Sequence, residues 1–238
     1  MTISTTTKAG ETKAPQPENS KKFTIYSSLI TLFTLLGGLA VGLISGSLTH
    51  FGLPDSMNET IRIGISALPG LFGAFLGGML WGWIMARIVA PDHSRRASWA
   101  GGIGFGLPFI VVALVLTALE VLLVQEKRTE LPIHIVFTIL FVPAAAIIAA
   151  SGAFALGTAL RSWKLGSRLA LSAGLTAALA FLIVVLLMDL LFGYRVGAPG
   201  AAERATMVTV LFVGIVVCSL AGGAAIGRMV FKIALGNQ

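Results

Sequence analysis

Hydrophobic positions in this chain gather into six long runs, about Phe23–Thr49, Ile63–Val89, Ser98–Val124, Ile133–Leu160, Leu169–Phe192 and Ala205–Val230. A helix needs about 20 apolar residues to cross about 30 Å of hydrocarbon, and every run is long enough. Membrane strands would be about ten residues long and alternating. These runs are longer and uniformly apolar, so helices are left as the structure that satisfies every backbone polar group in lipid. The pattern predicts an all-α integral membrane protein with one six-helix transmembrane domain over residues 23–232. Residues 1–22 are polar, with Thr, Lys, Pro and Glu and no apolar period, and read as a flexible tail. The first run is too long for the core of a secretory signal and is expected to stay as an anchor.

Small residues recur every fourth position in the even runs. The series are Ala74, Gly78, Gly82; Ala149, Ala153, Gly157; and Ser219, Gly223, Gly227, each with an arginine close behind (Arg87, Arg161, Arg228). The first run carries Gly38, Gly42 and Gly46. Residues four apart share one helix face, so each series is a smooth stripe, a glycine-zipper pattern, where another helix can approach closely. Leucine at Gly78, Ala153 or Gly223 is expected to push helices apart. The even-run series align at offsets of 75 and 70 residues. Three repeated helical hairpins are one reading; chance recurrence in spans rich in Gly and Ala is the other. Pro69, Pro108 and Pro143 fall inside the second, third and fourth runs and are expected to bend their helices.

Charge adds orientation. Of 238 residues 56% are hydrophobic and 11% charged, with a mean hydropathy of +0.91. Soluble domains average about 25% charged, so lipid is the implied solvent. The net charge of +7 does not point to nucleic acid, because the basic residues sit at the ends of the apolar runs. Twelve of the seventeen Lys and Arg fall on one side, at the tail, Arg87, Arg95, Arg96, Arg161, Lys164, Arg168, Arg228 and Lys232. The positive-inside rule then places both termini in the cytoplasm of a multi-pass protein, with the cell (inner) membrane as its expected location. Trp81, Trp83, Trp99 and Trp163 fall near the same ends and read as an aromatic belt. Cys218 is the only cysteine, which excludes an intrachain disulfide and a multi-cysteine metal site.

Ionisable groups within membrane runs are functional candidates by default. Glu120 leads, with Thr117 and Ala113 on its face. Asp189 has the bulkier companions Leu186, Val185 and Leu182; His50 extends the ladder of the first run, and His134 opens the fourth. Together they sketch a polar cluster on the outer side, suited to proton coupling or to a structural latch. No metal site, phosphate loop or Rossmann turn is present, and no motif names a cofactor. Ser151–Gly152 lacks the preceding glycine and the partner histidine of an intramembrane serine protease, so no enzyme is indicated.

The expected function is a small permease or channel-like transporter for protons, a small neutral solute or a lipid-like molecule. An accessory or scaffold subunit of a larger membrane complex is the first alternative. A pigment- or haem-binding subunit, with histidine as axial ligand, is the second. The expected partners are the lipid bilayer and either further copies of the chain or subunits of a larger complex.

Overall fold

A computed structural model of the chain describes residues 17–54, 56–57, 59–125, 133–160, 163–192 and 201–235. Among these it has six helices: α1 (Pro17–Gly52), α2 (Glu59–Val89), α3 (Ser94–Gln125), α4 (Ile133–Leu160), α5 (Trp163–Phe192) and α6 (Ala201–Leu235), with a 3-10 turn at Pro91–His93 between α2 and α3. Five of them contain stretches long and apolar enough to cross a membrane: Lys21–Gly46, Leu68–Val89, Thr138–Leu160, Trp163–Leu191 and Thr209–Phe231. The protein is all-helical with multi-pass membrane character; α3 is the helix outside that set of five.

Several helices start earlier than hydropathy alone suggests. α1 begins at Pro17, so the last six residues of the polar segment read as tail are helical. Proline suits a first helical position, where its missing N–H is not needed. α5 begins at Trp163, six residues before Leu169, taking in the polar turn with Lys164 and Arg168. Helices extend past hydrocarbon into the head-group zone, which an apolar count does not register. Pro69, Pro108 and Pro143 all lie within continuous helices.

The helices form a closed ring. Each packs antiparallel on its chain neighbours, and α6 returns to α1. Glycine brings the backbones together at the seams. Gly42 of α1 faces Gly70 of α2, where an added Cβ would lie 2.6 Å from Gly70 Cα. Gly78 of α2 faces α3, with Gly101 O at 2.5 Å from such a Cβ. Gly157 of α4 faces Gly166 of α5 at 2.6 Å, and Gly223 of α6 faces Ser28 of α1 at 2.8 Å. Distances below 3 Å leave no room for a side chain, so each seam requires its small residue. The ladder glycines of each even helix therefore meet the helix that follows it around the ring.

Large apolar side chains point outward. Phe33, Phe72, Leu107, Ile139, Leu179 and Phe212 are all exposed. Without hydrophobic drive between helices in lipid, small residues form the contacts and bulky ones face the acyl chains. One end of the ring carries the exposed cations Lys21, Lys22, Arg87, Arg95, Lys164 and Arg228, and is called here the basic end.

Trp81 departs from the expected aromatic belt. It is wholly buried, whereas Trp83, Trp99 and Trp163 are 41%, 53% and 71% exposed. Trp81 lies on the inward side of α2, and its ring meets Phe105 edge-on at 4.9 Å. Hydropathy at a helix end does not distinguish the inward face from the outward one.

Candidate functional site

The ring forms a partly open cavity of about 340 Å³, lined by residues of all six helices. Small side chains create the space: Ala74 of α2, Ala144, Ala145 and Ala149 of α4, and Ala173 and Ala177 of α5 all line it. At the same level Phe105 and Phe109 of α3, Phe141 of α4 and Phe181 of α5 provide broad apolar surface. α6 contributes Leu211, Ile215, Cys218, Ser219, Gly222 and Ile226, and α1 contributes Thr31, Leu35 and Leu39. No acid, base or histidine is among the described lining residues.

Toward the basic end the ring is solid. Trp81, Met85, Leu156 and Leu169 are fully buried there, with Leu165, Ile226 and Val230 packed among them. Phe105, Ala173 and Ile226 belong both to this cluster and to the cavity wall, so the cluster is the cavity's floor. On the other side Phe181, Val184, Val185, Met188 and Val210 form a second cluster along α4, α5 and α6. Phe141 stacks on Phe181 there at 6.3 Å.

A short polar chain ties the floor together. Trp81 Nε1 donates to Thr31 Oγ1 at 2.9 Å, and Thr31 donates to Ser27 O at 2.8 Å. Ser27 Oγ donates to Gly223 O at 2.7 Å and lies 3.8 Å from Met85 Sδ. α1, α2 and α6 are thereby joined by buried, satisfied hydrogen bonds, the form in which polar groups are tolerated away from water. Cys218 Sγ donates to Ala177 O at 3.2 Å, linking α6 to α5 at the cavity wall.

The sequence-stated candidates fall elsewhere. His50, Glu120 and His134 belong to α1, α3 and α4, but their side chains lie outside the described residues. Asp189 is half-buried near the end of α5 and does not line the cavity. The small-residue candidates divide. Ala74, Ala149 and Ser219 line the cavity; Gly78, Gly82, Gly157, Gly223, Gly227, Gly38 and Gly42 sit at helix seams, and Ala153 is buried in the floor cluster. Gly46 is buried in α1. Among the described residues no cluster of three or more His, Cys, Asp or Glu has metal-binding geometry.

Sequence reading missed the polar chain and the aromatic wall. One signal was present: Ser27, Thr31, Thr34, Gly38 and Gly42 follow one another at spacings of four and three on a single face of α1, and all are buried. A hydroxyl stripe that continues a glycine ladder marks an inward face.

By its helices the chain is of the multi-pass helical membrane class. No family model, no curated protein and no solved structure matches it.

Proposed function

We propose that this chain is a small permease or carrier whose ring of helices holds a neutral, lipid-like or otherwise apolar molecule. The cavity carries this reading. Its volume of about 340 Å³ lies within the roughly 300–1,000 Å³ usual for small-molecule sites. The described wall is almost wholly hydrocarbon, and the space is partly open to its surroundings, so an apolar molecule can enter it. Water is a poor filler, because a buried water needs two to four polar partners. An apolar occupant needs none.

The described lining residues include no acid, base or histidine, which supports the lipid-like solute, and Glu120, His50, His134 and Asp189 are kept as candidates for coupling. In this reading α3 crosses the membrane with the other five helices, both termini lie in the cytoplasm at the basic end, and the membrane is the inner one. The ladder seams α2–α3, α4–α5 and α6–α1 recur around the ring, which supports a threefold hairpin repeat. The accessory-subunit reading draws less support from the small-residue faces, because the ladder glycines meet neighbouring helices within the ring. No histidine, the axial ligand assumed in the pigment- or haem-binding reading, is among the described lining residues.

Gentle extraction followed by native mass measurement tests the proposal. The expected result is a neutral, apolar added mass that Ala149→Phe, which fills the cavity, loses while the chain stays folded. A wild-type chain without added mass, or an added mass unchanged in Ala149→Phe, overturns it. Co-purification with a fixed set of foreign subunits would instead favour the accessory role.

A further inference from the structure

The cavity wall is not uniformly apolar, and its polar groups gather on one side. Thr31 of α1 and Ser219 of α6 both line it, and both are buried, at 3% and 5% exposure. They belong to the two helices that meet at the α1–α6 seam. Gly223, one turn beyond Ser219 on the same helix face, lies against Thr31, where an added Cβ would sit 2.7 Å from Thr31 Oγ1.

The two hydroxyls differ in what they already do. Thr31 donates to Ser27 O and accepts from Trp81 Nε1, so it has one lone pair left. Ser219 makes no hydrogen bond to any described residue, although serines within helices commonly bond back to a carbonyl one turn earlier, as Ser151 does to Ile147 O at 2.7 Å. Ser219 lines the cavity, so an occupant can supply the partner that such hydroxyls normally find. The opposite wall is hydrocarbon: Phe109, Val112, Phe141, Ile148 and Phe181.

We infer that the occupant is a neutral amphiphile with a single hydrogen-bonding group, a hydroxyl or a carbonyl, which Ser219 Oγ binds at the α1–α6 seam while the apolar body lies against α3, α4 and α5. This rests on the occupancy proposed above and assigns the occupant's chemistry and its direction in the cavity. Ser219 can donate to a carbonyl or accept from a hydroxyl, and Thr31 Oγ1 can accept a second bond from a hydroxyl. A charged head group is disfavoured, because the described lining residues offer it no counter-ion. A pure hydrocarbon would leave Ser219 unbonded. Because one buried hydrogen bond separates the two classes, recognition should resemble that of sites built to bind a substrate hydroxyl, which reject the analogue lacking it far more sharply than they reject a change in apolar size.

A matched pair of probes tests this: naphthalene and 2-naphthol, which share an apolar body and differ by one hydroxyl. Binding is measured by equilibrium dialysis of lipid nanodiscs with and without the full chain, so that partition into lipid is subtracted equally for wild type and variants. Wild type is expected to prefer 2-naphthol, and Ser219→Ala to lower that preference about tenfold while naphthalene binding stays within twofold. Naphthalene binding also reports that the variant is folded; Ser219→Gly removes the same hydroxyl if the alanine variant is not. Ser167→Ala, on the exposed side of α5 and away from the cavity, where the hydroxyl bonds back to Trp163 O at 3.0 Å, is expected to leave the preference unchanged. An equal preference in wild type and in the Ser219 variants overturns the inference and leaves the cavity reading standing. Failure of wild type to bind either probe overturns both.

Discussion

One ring of helices holds two different interiors. Toward the basic end the inward residues are Trp81, Met85, Leu156 and Leu169, and the centre is closed. Further along the same helices they are Ala74, Ala144, Ala149, Ala173 and Ala177, and the centre is a cavity of about 340 Å³. α4 shows the change most directly: Ala149 lines the cavity, and Ala153, one turn on along the same face, is wholly buried in the floor. Glycine contacts hold the helices at their seams, and they cannot close inward to fill the space. Side-chain size at inward positions decides whether a given level is packed or hollow.

The contrast is broken most severely by Trp81→Ala. This removes the largest fully buried side chain of the floor together with its bond to Thr31. The expected loss is about 3–5 kcal/mol of stability, read from unfolding in detergent. Phe141→Ala, at a wall that already borders space, should cost less than half of that. Equal losses would mean that the floor and the cavity are packed alike.

A smaller effect separates the two alanines of α4. Ala153→Leu adds volume where there is none and should destabilise by about 1–3 kcal/mol. Gly78→Leu and Gly223→Leu should act in the same direction, because both seams lack room for a Cβ. Ala149→Leu grows into the cavity and is expected to stay within about 1 kcal/mol of wild type, on the stabilising side. Melting curves that fall equally for Ala149→Leu and Ala153→Leu would remove the distinction.

The smallest effect tests the polar chain. Thr31→Val keeps the shape and removes the acceptor for Trp81 Nε1, leaving a buried donor unsatisfied, with an expected cost of about 1–2 kcal/mol. Thr176→Val is the comparison within α5, since the Thr176 hydroxyl bonds back along its own helix to Ser172 O at 2.7 Å. Its cost should be about 0.5 kcal/mol or less, because no second helix depends on it.

Much of the frame was readable beforehand. The apolar runs announced the helices, because lipid demands long, uniformly apolar segments. The ladders at Gly78, Gly157 and Gly223 announced close approach, because a four-residue period keeps one face smooth. The site was hardly readable. Glu120, His50, His134 and Asp189 drew notice because charge in a membrane run is rare; Asp189 does not line the cavity, and the side chains of the other three lie outside the described residues. An apolar cavity leaves no signature of charge; it is built from alanines that look in the sequence like any others. Trp81 was misplaced for a related reason, since an aromatic residue near a helix end fits a belt or a plug equally well until its direction is known.

What the chain determined by itself is therefore local and periodic: which segments are helical, which faces are small, and where the cations gather. What only the tertiary structure decided is closure: that α6 returns to α1, that Trp81 turns inward onto Thr31, and that alanines from α2, α4 and α5 arrive at one level with no large side chain between them. The reason is geometric. Helical periodicity relates residues within one helix, whereas a cavity depends on residues of six helices meeting, and their registers are set by the packing of the seams.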